Sequence, residues 1–191
     1  MASPEPVTLI AIGPSETIAA ALVREPAITG RARFVGMQGA VFRGYQGGPV
    51  CPEWNVRADV AAARVALLAP WREAVITPLD TCGLVRLRGA RLECLKRAED
   101  ALVQAVLENW RLWSGQAALA ELTETSVLFD TVAVYLAGPG ETPLLERVPL
   151  RLGILDDGTT AVDPGGALFS VATAWRDLEA FEDLLVETLL R

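Results

Sequence analysis

The chain has 191 residues, 51% of them hydrophobic and 21% charged, with 17 basic against 24 acidic side chains and a formal net charge of −7. That length suits a single domain, residues 1–191, with a substantial core. The acidic balance argues against a partner recognised through its phosphate backbone, for which the electrostatic footprint is basic, so nucleic acid is excluded.

There is no histidine. Ser-His and Cys-His nucleophile pairs, imidazole acids and imidazole metal sites are therefore out of reach, and carboxylates must carry any catalysis. That favours hard-cation or acid/base chemistry on oxygen-rich substrates. No apolar run approaches the roughly 18 residues of a membrane span: Asp130 interrupts Val127–Val134, and Glu108 interrupts the stretch after Ala101. Met1 to Pro6 carry no basic region followed by an apolar stretch, so no secretory signal and a cytoplasmic location are expected. Cys51, Cys82 and Cys94 show no CxxC spacing and read as reduced and structural.

In chain order, Val7–Ile12 is a continuous apolar, β-rich run ended by Gly13-Pro14, which predicts a buried strand. Ser15 or Thr17 can cap a helix over Ile18–Arg24, with Pro26 stopping it. Arg33–Met37 is a second strand, and strand, helix, strand in this order predicts a parallel βαβ unit. In open α/β sheets ligands bind beyond the carboxyl ends of strands, so Gly13–Thr17, the Met37–Pro52 loop and Glu53–Asn55 are expected to share one crevice. Asp59–Ala69 predicts a helix and Ala74–Leu79 a third strand before Asp80. From Leu92 to Trp113 apolar residues recur every three or four positions, predicting one long amphipathic helix with Trp110 and Trp113 in the core. Val127–Ala137 is a shorter helix carrying Asp130 near its start.

The last third changes character. Val148–Leu155 and Thr159–Val162 around Asp156-Asp157-Gly158 predict a β-hairpin, Ala167–Ala174 another strand, and Asp177 onward a helix with Leu178, Phe181, Leu185 and Leu189 on one face. The fold class expected is α/β: a mostly parallel open sheet with flanking helices and a small C-terminal antiparallel hairpin.

Two places could carry chemistry. Glu53 and Asn55, if extended, share a face and offer the mixture of donors and acceptors that vicinal sugar hydroxyls need; a helix cap explains a residue at this position equally well. Asp130 is a lone carboxylate in an apolar helix, where an unpaired charge is costly, so a cation, a buried partner or a helix N-terminus should compensate it.

Several segments together carry a family resemblance: Val7-Thr8-Leu9-Ile10-Ala11-Ile12-Gly13-Pro14, Met37-Gln38-Gly39-Ala40, Glu53-Trp54-Asn55-Val56 with Asp59 and Ala61-Ala62, Thr77-Pro78-Leu79-Asp80, Leu128-Phe129-Asp130-Thr131-Val132-Ala133-Val134, and Asp163-Pro164. In this order they resemble the inosine-uridine-preferring nucleoside hydrolases over nearly the whole chain. The resemblance implies hydrolysis of the N-glycosidic bond of ribonucleosides, with Ca²⁺ holding a water and the ribose hydroxyls. It implies that Asp130 and the backbone carbonyl of Glu16 are metal ligands, and that Glu53, Asn55 and Met37 contact the sugar. The family's opening strand with its Asp-rich calcium loop has no counterpart here, so the first βα block is expected to be missing and the sheet to have an uncovered edge, covered by a second copy or a complementing polypeptide. Phe129 stands where many members have histidine. These departures predict weak Ca²⁺ binding and poor catalysis by the chain alone; tight binding would assign the missing role to another carboxylate, Asp80 or Glu16. A non-catalytic nucleoside- or sugar-binding module, or the C-terminal subunit of a split hydrolase, is the alternative.

Overall fold

The computed structural model describes residues 7–138 and 142–191. Met1 to Pro6, read above for a secretory signal, lie outside the described residues. The chain divides into two compact units, residues 1–84 with 129–175, and residues 85–128 with 176–191.

The first unit is built on a six-stranded sheet in the order β1-β2-β3-β6-β4-β5. The strands are β1 (Val7–Ala11), β2 (Ala32–Met37), β3 (Glu73–Thr77), β4 (Leu145–Ile154), β5 (Thr160–Val162) and β6 (Ala167–Trp175). The pairs β1–β2, β2–β3 and β3–β6 are parallel, whereas β4 runs antiparallel to both β5 and β6. The expected α/β class is what the chain adopts, and the antiparallel part is larger than a hairpin because β6 pairs with β4 as well as with β3. The turn between β4 and β5 falls at the Asp-Gly step, where Gly158 has φ +89° and a Cβ would sit 2.9 Å from Arg57 Cα. Only glycine fits there.

Helices α1 (Glu16–Arg24) and α4 (Val60–Leu67) pack on each other, and short turns form α2 (Ile28–Arg31), α3 (Trp54–Arg57) and α5 (Leu79–Cys82). Phe34 on β2, Ile76 on β3, Phe169 and Val171 on β6 and Leu152 on β4 form one core cluster with Ala63 and Leu67 of α4. Side chains alternate along strands, so Val35 and Val75 point to the opposite face. The further helix of this unit, Phe129–Ala137, also packs against β1, β2 and β3. It starts two residues later than its sequence pattern suggests.

Two local expectations for this unit need correction. β1 is not a buried strand: it lies at the edge of the sheet, and Val7, Ile10 and Ile12 are exposed. Ser15 does occupy the N-cap position of α1, but its side chain makes no capping bond, and its Oγ is buried without a hydrogen-bond partner among the described residues.

The second unit is helical. The single helix expected over Leu92–Trp113 is two, α6 (Gly89–Lys96) and α7 (Ala101–Ser114). The break comes from Asp100, whose Oδ1 accepts the amides of Leu102 at 2.9 Å and Val103 at 3.0 Å and so starts a new helix. The interruption changes which residues face inward: Val103 and Leu107 are buried, while Leu102 is exposed. Leu92, Leu95, Val103 and Leu107 belong to this unit's own core cluster, against which Trp110 packs, but Trp113 is 76% exposed and is not core. With Phe129–Ala137 counted as α8, the last helix is α9 (Leu178–Leu189), capped by Asp177 through Ala180 N at 2.9 Å. Within this unit Arg91 of α6 binds the buried Glu182 at 2.8 Å and Asp183 at 2.6 Å, joining α6 to α9.

Candidate functional site

The parallel strands β1, β2 and β3 end at Ala11, Met37 and Thr77, which the register sets at one edge of the sheet. The loops that follow are the candidate site. α8 reaches the same edge: near its C-terminus the Leu136 carbonyl accepts Arg33 Nη2 at 2.9 Å at the start of β2, so its first turn, with Phe129 and Asp130, lies toward the strand ends.

Glu53 and Asn55 are not extended side by side. Glu53 is the N-cap of α3 and Asn55 lies in its first turn, yet both side chains are buried. Glu53 Oε1 accepts Asn55 N at 2.9 Å and its Oε2 accepts Gly39 N at 3.0 Å. Asn55 Nδ2 donates to the Met37 carbonyl at 3.0 Å and lies 3.2 Å from Met37 Sδ. Met37, Gly39, Glu53 and Asn55 thus form one latch between the end of β2 and α3. Gly39 has φ +79°, and a Cβ there would come within 2.5 Å of Thr160 Oγ1. Gln38 ties the latch to β1, its Nε2 donating to the Gly13 carbonyl at 2.9 Å.

Burial raises the pKa of Glu53; the amides of Asn55, Gly39 and Val56 pull it down, and the charge of Asp130 pushes it up. Asp130 is therefore within electrostatic reach of Glu53. It is an exposed residue, so the burial that its apolar helix suggested does not hold, though partial desolvation raises its pKa. Glu16 is exposed at the first turn of α1. It follows the loop after β1, whose Gly13 carbonyl Gln38 binds.

Asp80 has a part that its position after β3 did not announce. Its Oδ2 accepts Val41 N at 2.9 Å, and its Oδ1 accepts Phe42 N at 2.8 Å and Arg43 N at 3.2 Å. A buried carboxylate held by three amides anchors the loop after β2. Cys82 beside it is buried, which raises its thiol pKa well above the ordinary value and leaves it unreactive.

Tyr45, also missed by sequence reasoning, stands in the Gly-rich segment that Asp80 anchors. Its hydroxyl accepts Trp54 N at 3.0 Å, and its ring meets Phe129 edge-on with centroids 6.3 Å apart. It therefore connects the first turn of α3 with that of α8. Desolvation raises its pKa, so the phenol stays protonated. Arg57 covers the exposed Trp54 ring at 5.4 Å. An aromatic inside a run of glycines was the available signal.

The described residues do not by themselves complete a calcium site. Ca²⁺ takes six to eight oxygens, whereas among the described residues no three His, Cys, Asp or Glu side chains cluster to hold a metal. Both oxygens of Glu53 and both of Asp80 are occupied by amides, which leaves Asp130.

Loops at the carboxyl ends of the parallel strands of an α/β sheet, carrying a buried Glu-Asn pair, are where ligands bind in open α/β folds and make this end the candidate site. The lineage of the chain follows from sequence. The profile of the inosine-uridine preferring nucleoside hydrolases matches residues 1–182, and the chain belongs to this family. Among solved structures, a plant nucleoside hydrolase is similar with a TM-score of 0.76 at 19% identity, over 96% of this chain and 61% of its own. An inosine-guanosine nucleoside hydrolase gives 0.73 at 19%, over 98% and 62%. A purine-preferring ribonucleoside hydrolase from Gardnerella vaginalis gives 0.71 at 16%, over 94% and 59%. At such identities the likeness establishes the fold. The chain spans about three fifths of the length of these structures. A search of curated protein sequences found no match.

Proposed function

We propose that this chain binds a ribonucleoside at the ends of β1 to β3 and belongs to machinery that hydrolyses its N-glycosidic bond to ribose and free base. The observation that carries the reading is the latch of Met37, Gly39, Glu53 and Asn55: a buried carboxylate and carboxamide fixed beside a β2 carbonyl, in a member of a nucleoside hydrolase family. In this reading Glu53, Asn55 and the Met37 backbone contact the sugar, and Asp130, with the Glu16 carbonyl, is the chain's contribution to a Ca²⁺ site. The carboxylates left over do not complete that site, so the chain by itself is a poor catalyst. Hydrogen bonds to sugar hydroxyls that strengthen as positive charge forms at C1′ are the contribution its own residues can make.

A second reading is favoured by the sheet edge. The outer side of β1 has no strand partner among the described residues, and exposed Val7 and Ile10 lie along it. Such an edge invites pairing. A second copy would cover that edge, whereas a complementing polypeptide that carries the Asp-rich loop would also bring carboxylates next to the loop after β1, making this chain one part of a split hydrolase; without such a polypeptide it is a nucleoside- or sugar-binding module. No helix among the described residues is long and apolar enough to cross a membrane.

The test is hydrolysis of inosine, uridine and p-nitrophenyl riboside with Ca²⁺, by this chain alone and with any polypeptide encoded upstream. Slow turnover that rises with the added polypeptide supports the split reading. Robust turnover by the chain alone, abolished in Asp130→Ala, makes it a self-sufficient enzyme. Failure to bind ribose or any nucleoside refutes both.

A further inference from the structure

Tyr45 is an anomaly of the first unit: a large aromatic side chain, 42% exposed, in a loop that is otherwise held tightly. Asp80 clamps the start of that loop through three amides, and Gly44 N donates to the Gly48 carbonyl at 2.9 Å, closing it on itself. The residue after Tyr45, Gln46, has φ +56°, a conformation that a side chain other than glycine rarely adopts. Strain of this kind persists where the surroundings over-determine it, and it concentrates at ligand sites. Here it lies next to Tyr45, whose ring is held by Trp54 N and by Phe129.

The ring stands between the two segments that the nucleoside reading needs. On one side its hydroxyl accepts Trp54 N, between Glu53 and Asn55; on the other its ring meets Phe129, next to Asp130, in a T-shaped pair. Accepting that amide uses a lone pair of the phenol oxygen and leaves its hydrogen, which is donated to none of the described residues. The pair Tyr45–Phe129 therefore presents an apolar wall with one hydrogen-bond donor at its rim. A planar heterocycle with acceptor atoms at its edge fits that chemistry; ribose, with hydroxyls on every side, does not need it.

We propose that Tyr45 recognises the base of the bound nucleoside, its phenol O–H donating a hydrogen bond to a ring or exocyclic acceptor of the base while Phe129 packs beside it. The inference rests on the nucleoside reading and deepens it. The electron pair of the N-glycosidic bond goes to the base when that bond breaks. A fixed donor on the base meets the negative charge where it develops. In a chain with no histidine, a tyrosine that stays protonated can hold this place without itself giving up its proton.

The test compares two ligands on the full chain: ribose, and formycin B, an inosine isostere whose base is joined through carbon and is not hydrolysed. Tyr45→Phe should weaken formycin B binding about fivefold, the worth of one hydrogen bond, and leave ribose binding unchanged. In the unaltered protein, ¹³C labelling of the phenol carbon gives two signals, since the chain has two tyrosines; formycin B should shift that of Tyr45, and ribose should not. A Tyr45→Phe protein that binds both ligands normally, or loses both together, overturns the inference and leaves Tyr45 a structural role, as does a Tyr45 signal that formycin B leaves in place. An unaltered chain that binds neither ligand overturns the nucleoside reading itself.

Discussion

Phe42 N donates to Asp80 Oδ1 at 2.8 Å, tying the loop after β2 to the turn after β3. Val41 and Arg43 add their amides to the same carboxylate. One side chain thus satisfies three donors that no ladder or helix reaches, and the segment bearing Tyr45 starts from it. Asp80→Ala leaves those amides without an acceptor, and a buried donor left unpaired costs about 1–3 kcal/mol. Since Phe42 and Arg43 are exposed residues with access to water, the expected loss is about 2–4 kcal/mol, not the full sum. Urea unfolding of Asp80→Ala against the parent measures it. Asp80→Asn, which keeps one acceptor oxygen, should fall between.

Glu53 offers a pH-dependent prediction. Burial raises its pKa in the folded chain. A carboxyl raised above its unfolded value contributes stability that is fully present below the unfolded pKa, about 4.3, and is lost as pH rises through the folded pKa. Acidification from neutral pH toward 4.5 should therefore increase the stability of the parent relative to Glu53→Gln. Urea midpoints of the two proteins at several pH values read this directly. A difference that shrinks on acidification would mean that the amides of Asn55 and Gly39 outweigh desolvation. Asp130→Asn removes one cause that raises the Glu53 pKa and should move the window to lower pH.

The β-strands were legible in the sequence because their signals are local: apolar runs ended by Gly13-Pro14, by Gly39 and by Pro78, and an Asp-Gly turn at Asp157-Gly158. Sheet position was not legible in the pattern itself. Val7 and Ile10 look as apolar as Phe34 and Val35; the uncovered edge was expected from the family resemblance alone, and the pairing places β1 there. At the site, Glu53 and Asn55 stood out as residue types, but their geometry depends on whether Glu53 ends a loop or continues a strand, which rests on the distant Gly39 amide. Asp80 and Tyr45 act through backbone groups far from them in sequence. Such contacts leave no periodic trace.

The break between α6 and α7 was hidden for a different reason. Arg97-Ala98-Glu99-Asp100 contains neither Gly nor Pro, and the apolar spacing continues across it. Asp100 makes the difference by capping Leu102 and Val103. Asp100→Ala removes a cap typically worth about 1 kcal/mol and should lower stability by that amount. Asp100→Asn, which keeps the acceptor oxygen, should cost less. If Asp100→Ala leaves stability unchanged, the helix start is held by the packing of Val103 and Leu107 instead.

Asn55 separates hydrogen bonding from shape. Its amide nitrogen faces the Met37 carbonyl at 3.0 Å, and the side chain is buried. Asn55→Ala deletes the donor and leaves the carbonyl at the end of β2 unpaired, costing about 1–3 kcal/mol. Asn55→Asp preserves the shape but sets a carboxylate oxygen against that carbonyl, and near Glu53 it adds a second buried negative charge. The larger loss should come from the substitution that changes fewer atoms: Asn55→Asp should be less stable than Asn55→Ala at neutral pH, and the gap should narrow on acidification as the new carboxyl takes a proton. Thermal unfolding of the three proteins at neutral and acidic pH reads the order. Ribose binding should fall in both variants, because each removes the amide that the nucleoside reading places beside the sugar. An Asn55→Asp protein as stable as its parent at neutral pH would mean that the Met37 carbonyl turns away from this side chain, and the latch would lose its claim to hold a ligand in place.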